Sequence, residues 1–581
     1  MADYKLIPYG ISDFAQLRNE NKYYADKTMY LPRMELVGNF LFLIRPRRFG
    51  KSLFMSMMQY YYDINRKDDF DRLFNGLWIA EHPTELRNSF EVLRLDFSQT
   101  GGNLETLEKD FDQYMSVSLD IFAWYYADRY PDCFVETVKS FDDYRGKLKY
   151  INGISNKLGH KKYLIIDEYD NFTNNVLNEK GEAVYHALTY ASGFYRDVFK
   201  LFKGNFDRIL MVGVSPVTLD DVTSGYNIAT HITMDPRFNM MLGFSETEVR
   251  EMIRYYQSVG AINADEDTLI NEMKPWYDNY CFSEDSLFSD PKIFNSDMVL
   301  YYMQSIIAFG KAPKNMVDNN TRTDYVKMNK LLQLDQLEKV ETPNGVRRGI
   351  LYTIAQDSGI KADVNLSFPA YRMADKENFV SLLFFYGMLT YGEPDGAETH
   401  LIIPNNNVRL QYYDYLMRGY QEIAYIDTSE IGSSYTDAAL RGNWQPMVEL
   451  LAAAYEKTTS VRQLIEGERN LQGFMNAYLS LNPYYFVAPE MEFSHGYCDF
   501  FLMPNILRWP MVKHSFILEL KYLKADASDA DTQSQWRDAE EQIRRYAAEP
   551  KVGQMTAGTN LHPVIMQFKG YKLLRYSEVS A

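Results

Sequence analysis

Cysteine is scarce: the 581 residues hold three, Cys133, Cys281 and Cys498, far apart and without a paired CxxC spacing. Neither a disulfide framework nor a zinc site is suggested. Long apolar runs are missing too. No stretch approaches the roughly 18 apolar residues that a membrane span requires, and the opening MADYKLIPYGISDF has neither the basic start nor the apolar stretch of a secretory signal. The expectation is a cytoplasmic protein with no membrane partner. Positive charge is not in excess either, with 61 Lys and Arg against 78 Asp and Glu and a formal charge of -17. Neutralising phosphates takes clustered basic residues, so any contact with nucleic acid must be local. No internal repeat or extended low-complexity tract occurs, which argues against a solenoid.

What is present is enough apolar material, 46% of the chain, for two or three cores, since a single core stops growing at roughly 250 to 300 residues. The 46 tyrosines point to dense packing with hydroxyls reaching polar partners. Short runs rich in Val, Ile, Leu and Phe fall at Phe40 to Ile44, Val92 to Phe97, Tyr163 to Asp167 and Ile209 to Val214, separated by segments of helical pattern. Strands alternating with helices imply a mostly parallel sheet covered on both faces. After Gly213 to Pro216 amphipathic helices follow, one of them opened by the Ser245-x-x-Glu248 spacing of a capping box. From Tyr484 the texture turns strand-like again, before the charged helix DAEEQIRRYA. The polar stretches Lys311 to Asp324 and Ser429 to Asn443 read as connections, and ADASDADTQSQ after Lys524 as an exposed, mobile loop. The expected fold is α/β: a P-loop NTPase domain over 1–240, a helical middle region over 241–430, and a C-terminal α/β domain over 431–581.

FLFLIRPRRFGKSLFMSMMQYYY reads as strand, loop and helix, the context in which backbone N-H groups and a helix N-terminus hold phosphate. Arg48, Phe49, Gly50, Lys51, Ser52 and Leu53 are expected to surround the phosphates of ATP, Lys51 supplying charge and Ser52 a hydroxyl for magnesium. The usual first glycine of GxxxxGK(S/T) is Arg45 here, which implies an altered start to the loop. In KKYLIIDEYDNF an apolar run, Tyr163 to Ile166, delivers Asp167 and Glu168 at a strand's C-terminal end, where open α/β sheets bind ligands. Asp167 is expected to hold the magnesium and Glu168 to polarise the attacking water.

Near the C-terminus SFILELKYL sets Glu519 and Lys521 two residues apart, on one face of a strand. A hairpin through NILRWPMVKH would bring Asp499 beside Glu519. Two carboxylates and a lysine suit metal-dependent phosphodiester cleavage, with Asp499 and Glu519 as ligands of magnesium or manganese. Glu and Lys at alternate positions are also an ordinary solvated face, so this spacing alone leaves both readings open.

RPRRFGKSL, IDEYDNF, LMVGVSP and GFSETEV, with the later blocks WYDNYCF, FNSDMVLYYM, LLFFYGMLTYG and LIIPNNNVR, resemble the bacterial AAA-ATPase-like family that carries a C-terminal PD-(D/E)XK nuclease domain. The resemblance implies a restriction-endonuclease-like C-terminal fold with catalytic Asp499, Glu519 and Lys521, preceded by Cys498 where the pattern has proline. It also implies an upstream glutamate, Glu468 first and Glu492 and Glu490 behind it, a helix residue at Gln542, and a γ-phosphate sensor at Ser215. The expected activity is an ATPase coupled to a magnesium-dependent nuclease acting on nucleic acid, with DNA the expected partner through local contacts, in defence or mobile-DNA processing; the sequence does not separate DNA from RNA. The alternative is a nucleotide-regulated interaction or scaffold protein with an inactive nuclease-like domain. Such ATPases often form rings with an arginine supplied in trans, so a homo-oligomer is an expected partner; no residue of this sequence identifies that arginine.

Overall fold

The structure is a computed structural model describing residues 4–100, 106–170, 197–216, 230–289, 292–318, 339–341, 347–368, 372–373, 375–394, 398–412, 428–457, 468–479, 482–493, 496–506 and 509–580. The chain divides into two compact units, Met1–Val408 and Arg409–Ala581. Among the described residues no helix is long and apolar enough to cross a membrane.

The first unit is built on a parallel sheet. Its strands are β1 (Phe40–Ile44), β2 (Glu91–Asp96), β3 (Lys162–Asp167), β4 (Arg208–Gly213) and the short β5 (Thr230–His231), in the order β2-β3-β4-β1-β5. All four pairings are parallel. A sheet covered on both faces calls for unbroken apolar strands rather than alternation, and every residue of β3 is buried. Helix α1 (Lys51–Tyr62) follows β1, with Gly50 as its N-cap at φ 90°. The register sets Ile44 against Gly213 and Ile166 against Met211, so the loops after β1, β3 and β4 share the sheet's C-terminal edge. That edge is where ligands settle in open α/β sheets.

The helical region follows as the sequence predicts. Helix α2 (Glu246–Ser258) opens on a capping box between Ser245 and Glu248, and with α3 (Glu266–Tyr277) and α4 (Ser296–Phe309) it closes a core around Val249, Met252, Tyr256, Met273 and Tyr302. Tyr4, Ile7 and Tyr23 pack against this core, and Lys27 pairs with Glu248 at 2.7 Å. The chain ahead of the sheet is therefore tied to the helices behind it. Helix α5 (Lys376–Phe385) ends at Gly387, whose φ is 75° and whose Cβ, were it present, would lie 2.9 Å from Pro46 of the loop after β1.

The second unit is a mixed sheet of β6 (Tyr485–Phe493), β7 (Gly496–Pro504), β8 (His514–Leu523), β9 (Asn560–Lys569) and β10 (Lys572–Glu578), in chain order. Only β8 and β9 run parallel. A parallel pair needs a crossover, and α9 (Asp529–Ala547) forms it, burying Ala539, Ile543 and Tyr546 against Phe501, Ile517 and Ile565. Helices α6 (Thr428–Arg441), α7 (Gln445–Lys457) and α8 (Glu468–Leu479) precede the sheet.

Two local expectations are corrected. Ser429 to Asn443 is helical to Arg441 rather than a turn-rich connection, because Ile431, Tyr435, Ala438 and Ala439 recur at helical spacing and are buried. Most of ADASDADTQSQ is the first part of α9, opened by a capping box between Ser528 and Asp531; Asp529 and Asp531 there complement the helix dipole.

Gly387→Ala forces a side chain into both a left-handed conformation and the Pro46 contact. It should lower stability by about 1–3 kcal/mol, read as a shift of the urea midpoint at constant slope.

Candidate functional site

The loop after β1 is anchored by groups that leave its inner side clear. The Arg45 guanidinium is fully buried and donates to the carbonyls of Ile44 (3.0 Å), Thr233 and Phe238 (3.0 Å) while lying 4.5 Å from the Phe282 ring centroid. Burial pulls its pKa down to about 9. The residue standing in place of the usual glycine thus points into the protein and ties the loop to the Thr233–Phe238 segment. The Arg48 carbonyl accepts from Ser296 Oγ at 3.2 Å and from the Asp297 N-H at 3.3 Å, and the Phe49 carbonyl from the Gly243 N-H at 3.0 Å. With these carbonyls engaged outward, the first N-H groups of α1, which no helical carbonyl can satisfy, remain as anion donors. Arg48 itself adopts φ 69°, a cost tolerated only where surrounding bonds over-determine it.

Lys51 donates from Nζ to the Arg45 and Pro46 carbonyls at 2.9 and 2.8 Å. Burial lowers its pKa to about 8, against the attraction of Asp167. Ser52 Oγ donates to Asp167 Oδ2 at 3.0 Å, joining α1 to the end of β3. Asp167 is buried and its pKa is raised by that burial, with Lys51 and Ser52 opposing. Glu168 stands at φ 50° and donates its N-H to Asp167 Oδ1; burial raises its carboxyl also, with Arg47 opposing. Arg48, Phe49, Gly50, Lys51, Ser52, Leu53, Asp167 and Glu168 all line one cavity of about 480 Å³, within the range of small-molecule sites.

Ser215 is buried just past the end of β4 and is not among the residues that line that cavity. Its N-H donates to Asp170 Oδ2 at 2.8 Å, and its carbonyl accepts from Tyr169 Oη at 2.6 Å. Asp170, the last residue of DEYD, fastens the loop after β4 to the turn after β3. The sequence reading did not single it out, although the second aspartate so close to the first was a signal. Also missed was the stretch of wall contributed by Pro8, Ile11, Tyr23, Tyr24, Leu242 and Leu300. Residues before the loop and in the helical region meet there only through folding.

In the second unit the hairpin expected of Asp499 and Glu519 is present. Phe500 pairs with Leu518 on antiparallel β7 and β8, so the residues flanking them, Asp499 and Glu519, lie side by side. Asp499 accepts from the Leu520 N-H at 2.7 Å and from Gln472 Nε2 at 2.8 Å. Lys521 Nζ reaches Glu519 Oε1 at 2.7 Å and Gln542 Oε1 at 3.1 Å, and Gln542 Nε2 donates to Tyr546 Oη. Glu519 is 1% exposed, and among the described residues its buried Oε2 has no hydrogen-bond partner. Burial raises both carboxyls, reinforced for Glu519 by Asp499. Burial works against the Lys521 charge, yet Glu519 and Asp499 hold its ammonium above the usual range.

Glu468 heads α8 and is exposed; its charge acts on Asp499 and Lys521 without bonding them. Gln472, one turn further along the same face, makes the direct contact that the sequence reading had not foreseen. Glu490 and Glu492 belong to β6, and their side chains lie outside the described residues. Among the described residues no three His, Cys, Asp or Glu side chains gather as a metal cluster. Asp499 and Glu519 offer hard oxygen donors, the ligand type that magnesium takes.

Residues 8–223 match a family of predicted AAA-ATPases, and residues 466–578 match the PD-(D/E)XK nuclease superfamily. The chain thus carries an AAA-ATPase-like domain followed by a nuclease-superfamily domain, the architecture expected of it. It is 25% identical over 301 residues to an uncharacterized protein in the vnfD 5' region of Azotobacter chroococcum mcd 1, a match covering 49% of this chain and 50% of that protein. The chain spans about half the length of that curated relative.

Two outcomes are expected. Arg45→Gly, which restores the common loop pattern, should destabilise the protein by about 3–5 kcal/mol, since three buried carbonyls lose their donor and a cavity is left; chemical denaturation measures it. Because the Asp499 and Glu519 carboxyls are raised, protons compete with a cation there. Magnesium or calcium binding at this site, followed by calorimetry on protein and on Asp499→Asn, should tighten as pH rises from about 5 to about 8.

Proposed function

We propose that the N-terminal unit binds and hydrolyses ATP and that this cycle controls a magnesium-dependent phosphodiesterase in the C-terminal unit, acting on nucleic acid. The observation that carries the reading is the buried Glu519 Oε2, which has no hydrogen-bond partner among the described residues and lies beside a second carboxylate and a charged lysine. A desolvated carboxylate oxygen left unpaired costs stability, and a cation is the group that would satisfy it.

At the ATP site Lys51 would leave the loop carbonyls for the phosphates, Ser52 and Asp167 would hold the metal, and Glu168 would accept a proton from the attacking water. Ser215, held by Asp170, would act on this centre through the turn after β3. At the nuclease site Asp499 and Glu519 would hold magnesium or manganese, Gln472 would orient Asp499, and Lys521, kept charged, would position water and stabilise the phosphate rather than act as a base. Glu468 supplies further negative charge for a hydrated cation. Divalent metal, when bound, lowers the pKa of water and offsets transition-state charge.

DNA is the substrate this reading prefers, in defence or the processing of mobile DNA, within a reducing cytoplasm that suits a chain with three widely spaced cysteines. A second reading, favoured by the net charge of -17, is a nucleotide-regulated scaffold that assembles with further copies or partners without turnover.

The test is cleavage of labelled single- and double-stranded DNA and RNA with magnesium or manganese, with and without ATP. Wild type should cleave, with loss in both Lys521→Ala and Lys51→Ala. Loss in Lys521→Ala alone would leave a nuclease uncoupled from nucleotide. No cleavage by wild type, together with ATP-dependent assembly that survives Glu168→Gln, would establish the scaffold.

A further inference from the structure

On the face of the second sheet that α9 covers, a polar row runs outward from Lys521. Lys521 of β8 is the register partner of Gln567 on β9, and Gln567 that of Arg575 on the edge strand β10. Neighbouring strands lie about 4.8 Å apart, so Arg575 stands close to the carboxylate pair without belonging to it. Gln567 is fully buried. Its Nε2 donates to the Thr532 carbonyl and to Gln535 Oε1, both at 3.0 Å, and its Oε1 accepts from Arg575 Nε at 2.8 Å. Arg575 Nη2 also donates to the Thr532 carbonyl, at 3.0 Å, and the guanidinium lies 4.2 Å from the Trp536 ring centroid.

These contacts pin the edge strand to α9, but they engage only the fork formed by Nε and Nη2. Nη1 makes no hydrogen bond among the described residues, although Gln567 and Trp536 hold the whole plane in place. A cation fixed in advance loses less freedom when it binds. Its neighbours share its sign. From Pro563 to Ser577 the chain carries Lys569, Lys572 and Arg575 and no acidic residue, against a net charge of -17 overall. The Gly570 N-H donates to the Leu523 carbonyl at 2.8 Å, so the exposed Lys524 meets the same turn. Two acids open α9, Asp529 and Asp531, and Asp531 is engaged in the capping box; Glu456 of α7 lies 3.7 Å from the exposed Lys572. This is a local basic surface of the kind that phosphate contact by an acidic chain requires.

We propose that Arg575, carried on Trp536, is a substrate-binding residue of the C-terminal unit and takes a backbone phosphate flanking the scissile one on a nucleic-acid strand. The proposal rests on the phosphodiesterase reading above. The scissile phosphate would sit at Asp499, Glu519 and Lys521, and the row through Gln567 sets the next anchor at the sheet's edge, with Lys572 beside the strand's onward path. The N-H groups on the Nη1 side of the guanidinium meet phosphate oxygens in the planar geometry that such pairs favour. No base edge is read, so the contact fixes register on the strand and is independent of sequence.

The experiment measures binding of a fluorescent single-stranded DNA oligonucleotide to the full chain, in the Lys521→Ala background so that the probe stays intact, over a range of salt concentrations. Adding Arg575→Ala should raise Kd by about tenfold and lower the slope of log Kd against log salt by about 0.7, the loss of one phosphate contact on a single strand. Arg575→Lys should keep the slope, because the charge stays, while recovering only part of the affinity. Lys572→Ala, which removes an exposed side chain, should lower the slope with the urea midpoint unchanged. If Arg575→Ala leaves both Kd and slope as they were while Lys521→Ala still abolishes cleavage, the phosphodiesterase reading stands and the role of Arg575 is overturned. Weaker binding at an unchanged slope, with a lower urea midpoint, would make Arg575 a structural pin and overturn the proposal as well. If wild type neither binds nor cleaves DNA or RNA, single- or double-stranded, the phosphodiesterase reading falls, and this inference with it.

Discussion

The parallel pairing of β1 with β4 and of β4 with β3 is the constraint on which the nucleotide site rests. Ile44 lies against Gly213 and Ile166 against Met211, so the loop after β1, the turn after β3 and the segment after β4 emerge together at one edge. The polar links that join these three segments presuppose this register. Ser52 can donate to Asp167, and Asp170 can hold the Ser215 N-H, only because apolar strands distant in sequence have been driven side by side. Slipping one strand by one residue would move each of its side chains to the opposite face and carry its loop out of line with the others. The hydrophobic term thus sets the positions, and the hydrogen bonds set the orientations.

Both centres keep charge where water is scarce. Asp167 and Glu168 in the first unit, and Asp499 and Glu519 in the second, have carboxyls raised chiefly by burial. Such groups oppose folding of the empty protein and favour a cation once one arrives. The lysines are treated differently. Lys51 is desolvated with its pKa lowered, whereas Lys521 is held charged by the carboxylates beside it. The difference follows from what surrounds each: loop carbonyls hold the first, and a carboxylate pair holds the second.

Legibility in the sequence followed the range of the interaction. The strands of the parallel sheet, the capping box at Ser245 and the hairpin of Asp499 and Glu519 rest on local patterns, and they stand where the patterns place them. The segments 429–443 and 525–535 were misjudged because polar composition outweighed buried positions recurring at helical spacing. The role of Arg45 was hidden for another reason. A basic residue in a loop gives no sign of whether it faces water or a set of buried carbonyls, and its acceptors Thr233 and Phe238 lie far along the chain.

By itself the sequence determined the order of strands and helices, the paired motifs of each centre and the residue types able to do the chemistry, since these depend on spacings of a few residues. Only the tertiary structure decided which members of those motifs meet. It joined Tyr23 and Leu300 to the phosphate loop in one cavity, put Gln472 on Asp499 and turned Arg45 inward. The physical reason is that burial and desolvation are properties of the packed whole: a side chain's neighbours, and hence its charge state, are set by segments that no local pattern connects.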